Sequence, residues 1–135
     1  MYVTRKADYA IRCVLYMTKN TWRVTSVDEI SNAMYVPKSF LAKILQRLMK
    51  AGIVSSTRGI KGGFQLAKDP KDINLLEVIE AIQGVSAANI CAIDSRLCRL
   101  SGRCTVHPIW VKIREKVEKE LKKENFEKLA KKSRI

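Results

Sequence analysis

Acidic residues are scarce in this chain, and scarcest in its middle. Its 135 residues carry 13 Asp and Glu against 26 Lys and Arg, for a formal net charge of +13. No acid stands between Glu29 and Asp69, yet Lys38, Lys43, Arg47, Lys50, Arg58, Lys61 and Lys68 all fall there. A single-sign stretch in a chain of otherwise mixed charge is the footprint of a polyanion, and nucleic acid is preferred over a merely solvated helix face. Long apolar runs are missing as well. Arg12 interrupts the best of them, far short of the roughly 18–20 residues a membrane helix needs, so no membrane partner is expected. The opening residues Met1 to Lys6 lack a signal-peptide core, which makes a cytoplasmic location the expectation. In that reducing compartment cysteines serve as metal ligands or reactive thiols more often than as disulfides.

Histidine is almost absent, and its one occurrence is placed tellingly. His107 closes a run that begins Cys91, Cys98, Cys104, so that three of the four cysteines and the only histidine share residues 91–107. Thiolate sulfur and neutral imidazole nitrogen are the ligands that iron–sulfur clusters and zinc select. Structural zinc sites hold their cysteines in pairs about two to four residues apart. The gaps here, residues 92–97 and 99–103, are wider, which favours iron–sulfur chemistry over zinc. A nucleophilic cysteine served by His107 has no third group to orient it, so an enzyme is not expected.

The rest of the chain reads as mainly α with one β-hairpin. Ala7, Ala10, Ile11, Val14 and Leu15 form the stripe of an amphipathic helix, with Tyr9, Cys13 and Tyr16 as a second, softer stripe; Cys13 reads as a packed thiol. Ser26 with Glu29 is a capping box that opens a short helix ending near Met34. After the break Tyr35-Val36-Pro37, a second helix carries Phe40, Leu41, Ile44, Leu45 and Leu48 and stops at Gly52. Two helices joined by a tight turn, the second bearing the basic residues, form a helix-turn-helix pattern. Residues 53–57 and 64–67 read as two strands joined by the glycine-rich Arg58 to Gly63, the wing of a winged helix-turn-helix. Asn74 with Glu77 caps a further helix that ends at Gly84. After the ligand run, Pro108 opens a long charged helix with Ile109, Trp110, Ile113, Val117 and Leu121 along one side. That stripe is too narrow to bury well in a monomer and suits a seam with a second copy. The expected organisation is a DNA-binding domain over residues 1–84, a cluster-binding loop over 85–107, a dimerisation helix over 108–128 and a flexible tail over 129–135.

With these elements in place the chain resembles the Rrf2 family of bacterial transcription regulators over nearly its whole length. The matching segments are Thr4-Arg5-Lys6-Ala7-Asp8-Tyr9-Ala10, Leu48-Met49-Lys50-Ala51-Gly52-Ile53-Val54, the wing Arg58 to Ala67, Leu76 to Ile82, and the three cysteines. Within the family the chain resembles the branch containing the iron–sulfur cluster regulator and the nitric-oxide-sensing repressor. The segment between Cys91 and Cys98 is one residue longer than the family's usual first gap. The resemblance implies a cluster held by Cys91, Cys98 and Cys104, with two positions competing for fourth ligand. His107 matches the ligand of a 2Fe-2S site, and Asp8, supplied by the partner subunit, matches that of a 4Fe-4S site. His107 and the 2Fe-2S form are preferred, while Arg96, Arg99 and Arg103 offset the charge of the thiolates.

For DNA, a dimer of winged helices places two recognition helices in successive major grooves of double-stranded DNA and reads a pseudo-palindrome. Lys38, Ser39 and Lys43 lie toward the N-terminal half of the helix, where base edges are reached, and Lys43 can donate to guanine O6 and N7. Arg47 sits on the flank. By resemblance Arg58 enters the minor groove, with Lys61 beside it for phosphate. The expected function is a homodimeric regulator whose operator binding is set by an iron–sulfur cluster responding to oxygen, nitric oxide or iron supply. The alternatives are a cluster-free repressor that senses redox state through its thiols, and a zinc-stabilised interaction protein.

Overall fold

The protein was analysed as a computed structural model that describes residues 2–135. Its helices are α1 (Arg5–Lys19), α2 (Val27–Met34), α3 (Lys38–Lys50), α4 (Leu75–Gln83), α5 (His107–Lys123) and α6 (Phe126–Lys132). Strands β1 (Val54–Thr57) and β2 (Gly63–Leu66) pair antiparallel, in register from Val54 opposite Leu66 to Thr57 opposite Gly63. This is the mainly α architecture with a β-hairpin wing expected above.

Local chemistry sets most helix starts. Thr4, Ser26 and Asn74 each accept a backbone N–H three residues on, from Ala7, Glu29 and Asn74's partner Glu77, removing one orphan donor per helix. Gly52 (φ 76°) turns the chain out of α3 into β1, a conformation that costs any other residue more. Thr25, between α1 and α2, bridges to Phe64 through N–H···O bonds of 2.8 and 2.7 Å in the two directions, so the wing is tied back to the helix-turn-helix.

The core sits where α1 crosses α2, α3 and α4. Ala7, Ala10, Cys13, Val14 and Met17 of α1 pack with Ile30, Leu41, Leu45, Leu48 and Val78, all buried. The small residues Ala7 and Ala10 let the neighbouring helices approach α1 closely. Cys13 is a packed thiol as expected, its pKa pushed up to about 12, chiefly by burial, with Arg12 and its own backbone N–H opposing.

The C-terminal third departs from expectation. The long helix does not run from 108 to 128, nor is 129–135 a loose tail. α5 stops at Lys123, Glu124 is extended, and Asn125 caps α6, its side chain accepting from Lys128 N–H at 3.0 Å. The cause is long-range. Leu75 N–H donates to Glu124 O at 2.8 Å and Phe126 N–H donates to Ile73 O at 3.0 Å, pulling the chain out of helix and seating Phe126 in the core. α5 itself buries none of its residues, and Ile109 and Ile113 face solvent. No helix among the described residues is long and apolar enough to cross a membrane.

Candidate functional site

The ligand segment is a chain of three single 3-10 turns, Ile90–Ala92, Ser95–Leu97 and Ser101–Arg103. Cys91 lies inside the first, Cys98 directly follows the second and Cys104 directly follows the third. Asx chemistry sets the first two turns. Asn89 Oδ1 accepts from Ile90 N–H at 2.8 Å, and Asp94 Oδ1 accepts from Arg96 N–H at 3.0 Å. Cys91 is buried, Cys98 and Cys104 are half-buried, and all three are free thiols. His107 is the first residue of α5.

Arg114, a residue that sequence reasoning passed over, pins this segment to α5. Its guanidinium donates to Ala92 O at 2.7 Å and pairs with Glu118 at 2.8 Å, so the turn carrying Cys91 is fastened to the same face of α5 as His107, about two helical turns further along. Its only sequence signal was the i, i+4 spacing from Glu118. Of the three arginines expected to balance thiolate charge, Arg96 is taken by Asp94, its guanidinium donating at 2.9–3.2 Å to both carboxylate oxygens. That pairing holds the Asp94 carboxyl below its ordinary range.

Two observations bear on whether these residues suit a metal cluster. Only two buried side-chain N or O atoms among the described residues lack a hydrogen-bond partner, Ser101 Oγ and His107 Nδ1, and both lie in this segment. A buried polar atom left unpaired is costly, and an ion or ligand is one of the few explanations for it. The donor chemistry, three thiols and an imidazole nitrogen, fits an iron–sulfur core. Yet no three Cys, His, Asp or Glu side chains among the described residues stand close enough together to hold a metal ion. The donors fit in kind; bringing them to one point requires the turns to close on one another.

Asp8, the competing ligand, is engaged within its own chain. Arg12 donates to Asp8 Oδ2 at 2.9 Å, and Arg5 stands 3.9 Å away. The same Arg12 donates to the carbonyls of Met34 at 3.2 Å and Tyr35 at 3.4 Å, the last turn of α2 and the turn between the two helices of the motif. Tyr35 holds a left-handed backbone, φ 54°, uncommon for a bulky residue.

The basic stretch sorts itself into engaged and free cations. Lys38 pairs with Asp28 at 2.5 Å, Lys68 pairs with Glu77 at 2.6 Å, and Arg47 donates to Ile82 O at 2.7 Å, where it caps the end of α4. Lys43, Lys50, Arg58 and Lys61 are exposed and form no ion pair among the described residues. Ser39 is exposed in the first turn of α3. Lys43 and Ser39 occupy the outer face of α3, while Arg58 and Lys61 flank the wing tip. The acid-free stretch thus carries a smaller unpaired charge than its sequence suggested, concentrated on α3 and the wing.

Residues 3–132 match the family described as Rrf2, Iron-dependent Transcriptional regulator. An HTH-type transcriptional regulator of Aquifex aeolicus is 31% identical over 112 residues, spanning 82% of this chain and 78% of that protein. Among solved structures, CymR, the global cysteine regulator of B. subtilis, has a TM-score of 0.80 at 23% identity and covers 98% of both chains. IscR of T. potens has a TM-score of 0.77 at 21% identity, covering 98% of this chain and 89% of that one. At those identities the two structures speak for the fold alone. They agree with the winged-helix reading, and the relatives are regulators, not enzymes.

Proposed function

The chain belongs to the Rrf2 family of transcriptional regulators, and from that premise we propose that it binds operator DNA as a homodimer under the control of an iron–sulfur cluster. The observation that carries the cluster reading is the orphaned His107 Nδ1, buried at the start of α5 on the same segment as Cys91, Cys98 and Cys104. Those four residues are the proposed ligands, with the 2Fe-2S form preferred. When bound, such a cluster supplies one-electron chemistry and a reactivity toward oxygen and nitric oxide that protein side chains lack.

The protein's own part is mechanical. His107 is the first residue of α5 and Cys91 is fastened to α5 through Arg114, so gathering the ligands draws the three turns onto the N-terminal end of that helix. The exposed Ile109 and Ile113 on α5 support a seam with a second copy, which sets the spacing of two winged helices on a pseudo-palindrome. Within each half, Ser39 and Lys43 face base edges of the major groove and Arg58 the minor groove, with Lys61 on phosphate. Lys38 and Arg47, each already engaged, have a secondary part in this reading. Asp8 stays with Arg12 and is not the preferred ligand.

Anaerobic purification, an absorption spectrum, and assay of iron, sulfide and zinc test the cofactor. The expected result is a coloured protein holding iron and sulfide, its spectrum altered in His107→Ala and unchanged in Asp8→Ala. A colourless, iron-free protein loaded with zinc would favour the zinc-stabilised alternative, and one free of all metal would favour direct thiol sensing.

A further inference from the structure

We propose that Ile60 is an apolar wedge that enters the minor groove of the bound duplex and kinks it. This rests on the DNA-binding reading above and assigns a role to a residue that reading leaves idle. Ile60 is fully exposed at the tip of the wing. A single exposed isoleucine is ordinary on a protein surface, and exposure alone would say nothing. Its position is not ordinary. Gly59 to Gly62 form a closed turn, with Gly62 N–H donating to Gly59 O at 2.9 Å, and Ile60 and Lys61 are its two central residues. Gly59 holds φ 110°, and a Cβ on Gly62 would collide with the Thr57 carbonyl, so both glycines are committed to this shape. The turn is therefore built before any partner arrives. It presents an apolar side chain between two unpaired cations, Arg58 and Lys61, in a stretch without acids.

Charge selects the partner. A tip that carries Arg58 and Lys61 with no neighbouring carboxylate is complementary to a polyanion, and an isoleucine among those cations is desolvated only if the tip goes inside a groove. The minor groove, about 6 Å wide, excludes a helix but admits side chains from a narrow turn. Proteins that bind there combine arginine with inserted Phe, Leu, Ile, Met or Pro, which part a base step and bend the duplex toward the major groove. Ile60 beside Arg58 is that combination.

The test uses the full-length protein, both as purified anaerobically and after chelation, with duplexes recovered from a randomised library by in vitro selection on the wild type. Affinity and end-to-end energy transfer across the labelled duplex are read for wild type, Ile60→Ala, Ile60→Leu and Lys61→Ala. Ile60→Ala is expected to bind about tenfold more weakly and to lose most of the wild-type bend. Ile60→Leu keeps the bend, and Lys61→Ala weakens binding with the bend retained. An Ile60→Ala complex as bent as wild type, or a wild-type complex whose duplex stays straight, overturns the wedge and leaves DNA binding intact. If the wild type enriches no duplex in either form, the DNA-binding reading fails first and the wedge falls with it.

Discussion

Arg12 joins three parts of the molecule through one guanidinium. It holds Asp8 on its own helix, reaches the carbonyls of Met34 and Tyr35 in the helix-turn-helix turn, and lies over the Tyr9 ring with 5.4 Å to the centroid. A second polar knot stands at the other end of α1, where Glu29 accepts from Tyr16 Oη at 2.5 Å and is paired with Arg23. The Arg23 hydrogen bond, aided by Tyr16 and opposed by burial, holds the Glu29 carboxyl down to about 2 from an ordinary value of 4.5. A carboxylate whose pKa is depressed by folding stabilises the native state above its unfolded pKa, and that contribution disappears as pH falls through the folded value. Stability is therefore expected to drop between about pH 4.5 and 2, and Glu29→Gln to flatten that part of the profile. About a third of each side chain meets water, which limits the pair to about 1 kcal/mol. Urea midpoints across that window check it; superimposable profiles for the two proteins would contradict it. The Asp8–Arg12 pair has i, i+4 spacing on one helix, but the reach of Arg12 to Met34 and Tyr35 and the knot at Glu29 were not legible beforehand, because they depend on separate elements meeting.

Among the elements, α2, α3 and α4 were readable from local caps and turns, whereas the break before α6, although Asn125 caps that helix, depends on a distant contact and was not. Ser26, Asn74 and Gly52 announce α2, α4 and the end of α3 through bonds or backbone angles within a few residues. The break between α5 and α6 has no Gly or Pro, and the surrounding Lys and Glu suit an uninterrupted helix. Ile73 and Leu75, some fifty residues upstream, impose it by pairing with Phe126 and Glu124. Phe126 is fully buried, so Phe126→Ala is expected to cost about 3–5 kcal/mol in denaturant unfolding. A loss below about 1 kcal/mol would mean that α6 contributes little to the core. The exposed stripe of α5 makes the opposite prediction. Ile109→Glu should leave a single chain's stability nearly unchanged while shifting sedimentation from dimer to monomer, since a charge is introduced on the proposed seam. An unchanged dimer would place the seam elsewhere.

At the scale of the whole molecule, the cysteine-bearing segment and the helix-turn-helix are linked through shared elements. The segment is fastened to α5, α5 passes into α6 through an extended residue, and Phe126 at the start of α6 lies in the same core as α1 and α3. Movement of the three turns thus has a packed route toward the helix-turn-helix. The chemistry of that segment was legible as residue types: three cysteines and one histidine in a single run. Its geometry was not, because Arg114 and the Asx turns at Asn89 and Asp94 set where Cys91 and Cys98 lie. The same holds for the basic stretch, where charge was visible but the engagement of Lys38, Arg47 and Lys68 was not. The central claim is that occupancy of the segment 85–107 sets DNA affinity, and one titration tests it. Affinity for a selected duplex is measured with anaerobically purified protein before and after iron is removed by chelation, beside Cys98→Ala. The account predicts that chelation changes wild-type affinity by tenfold or more and that Cys98→Ala matches the chelated protein in either case. Equal affinity of all the forms would contradict it.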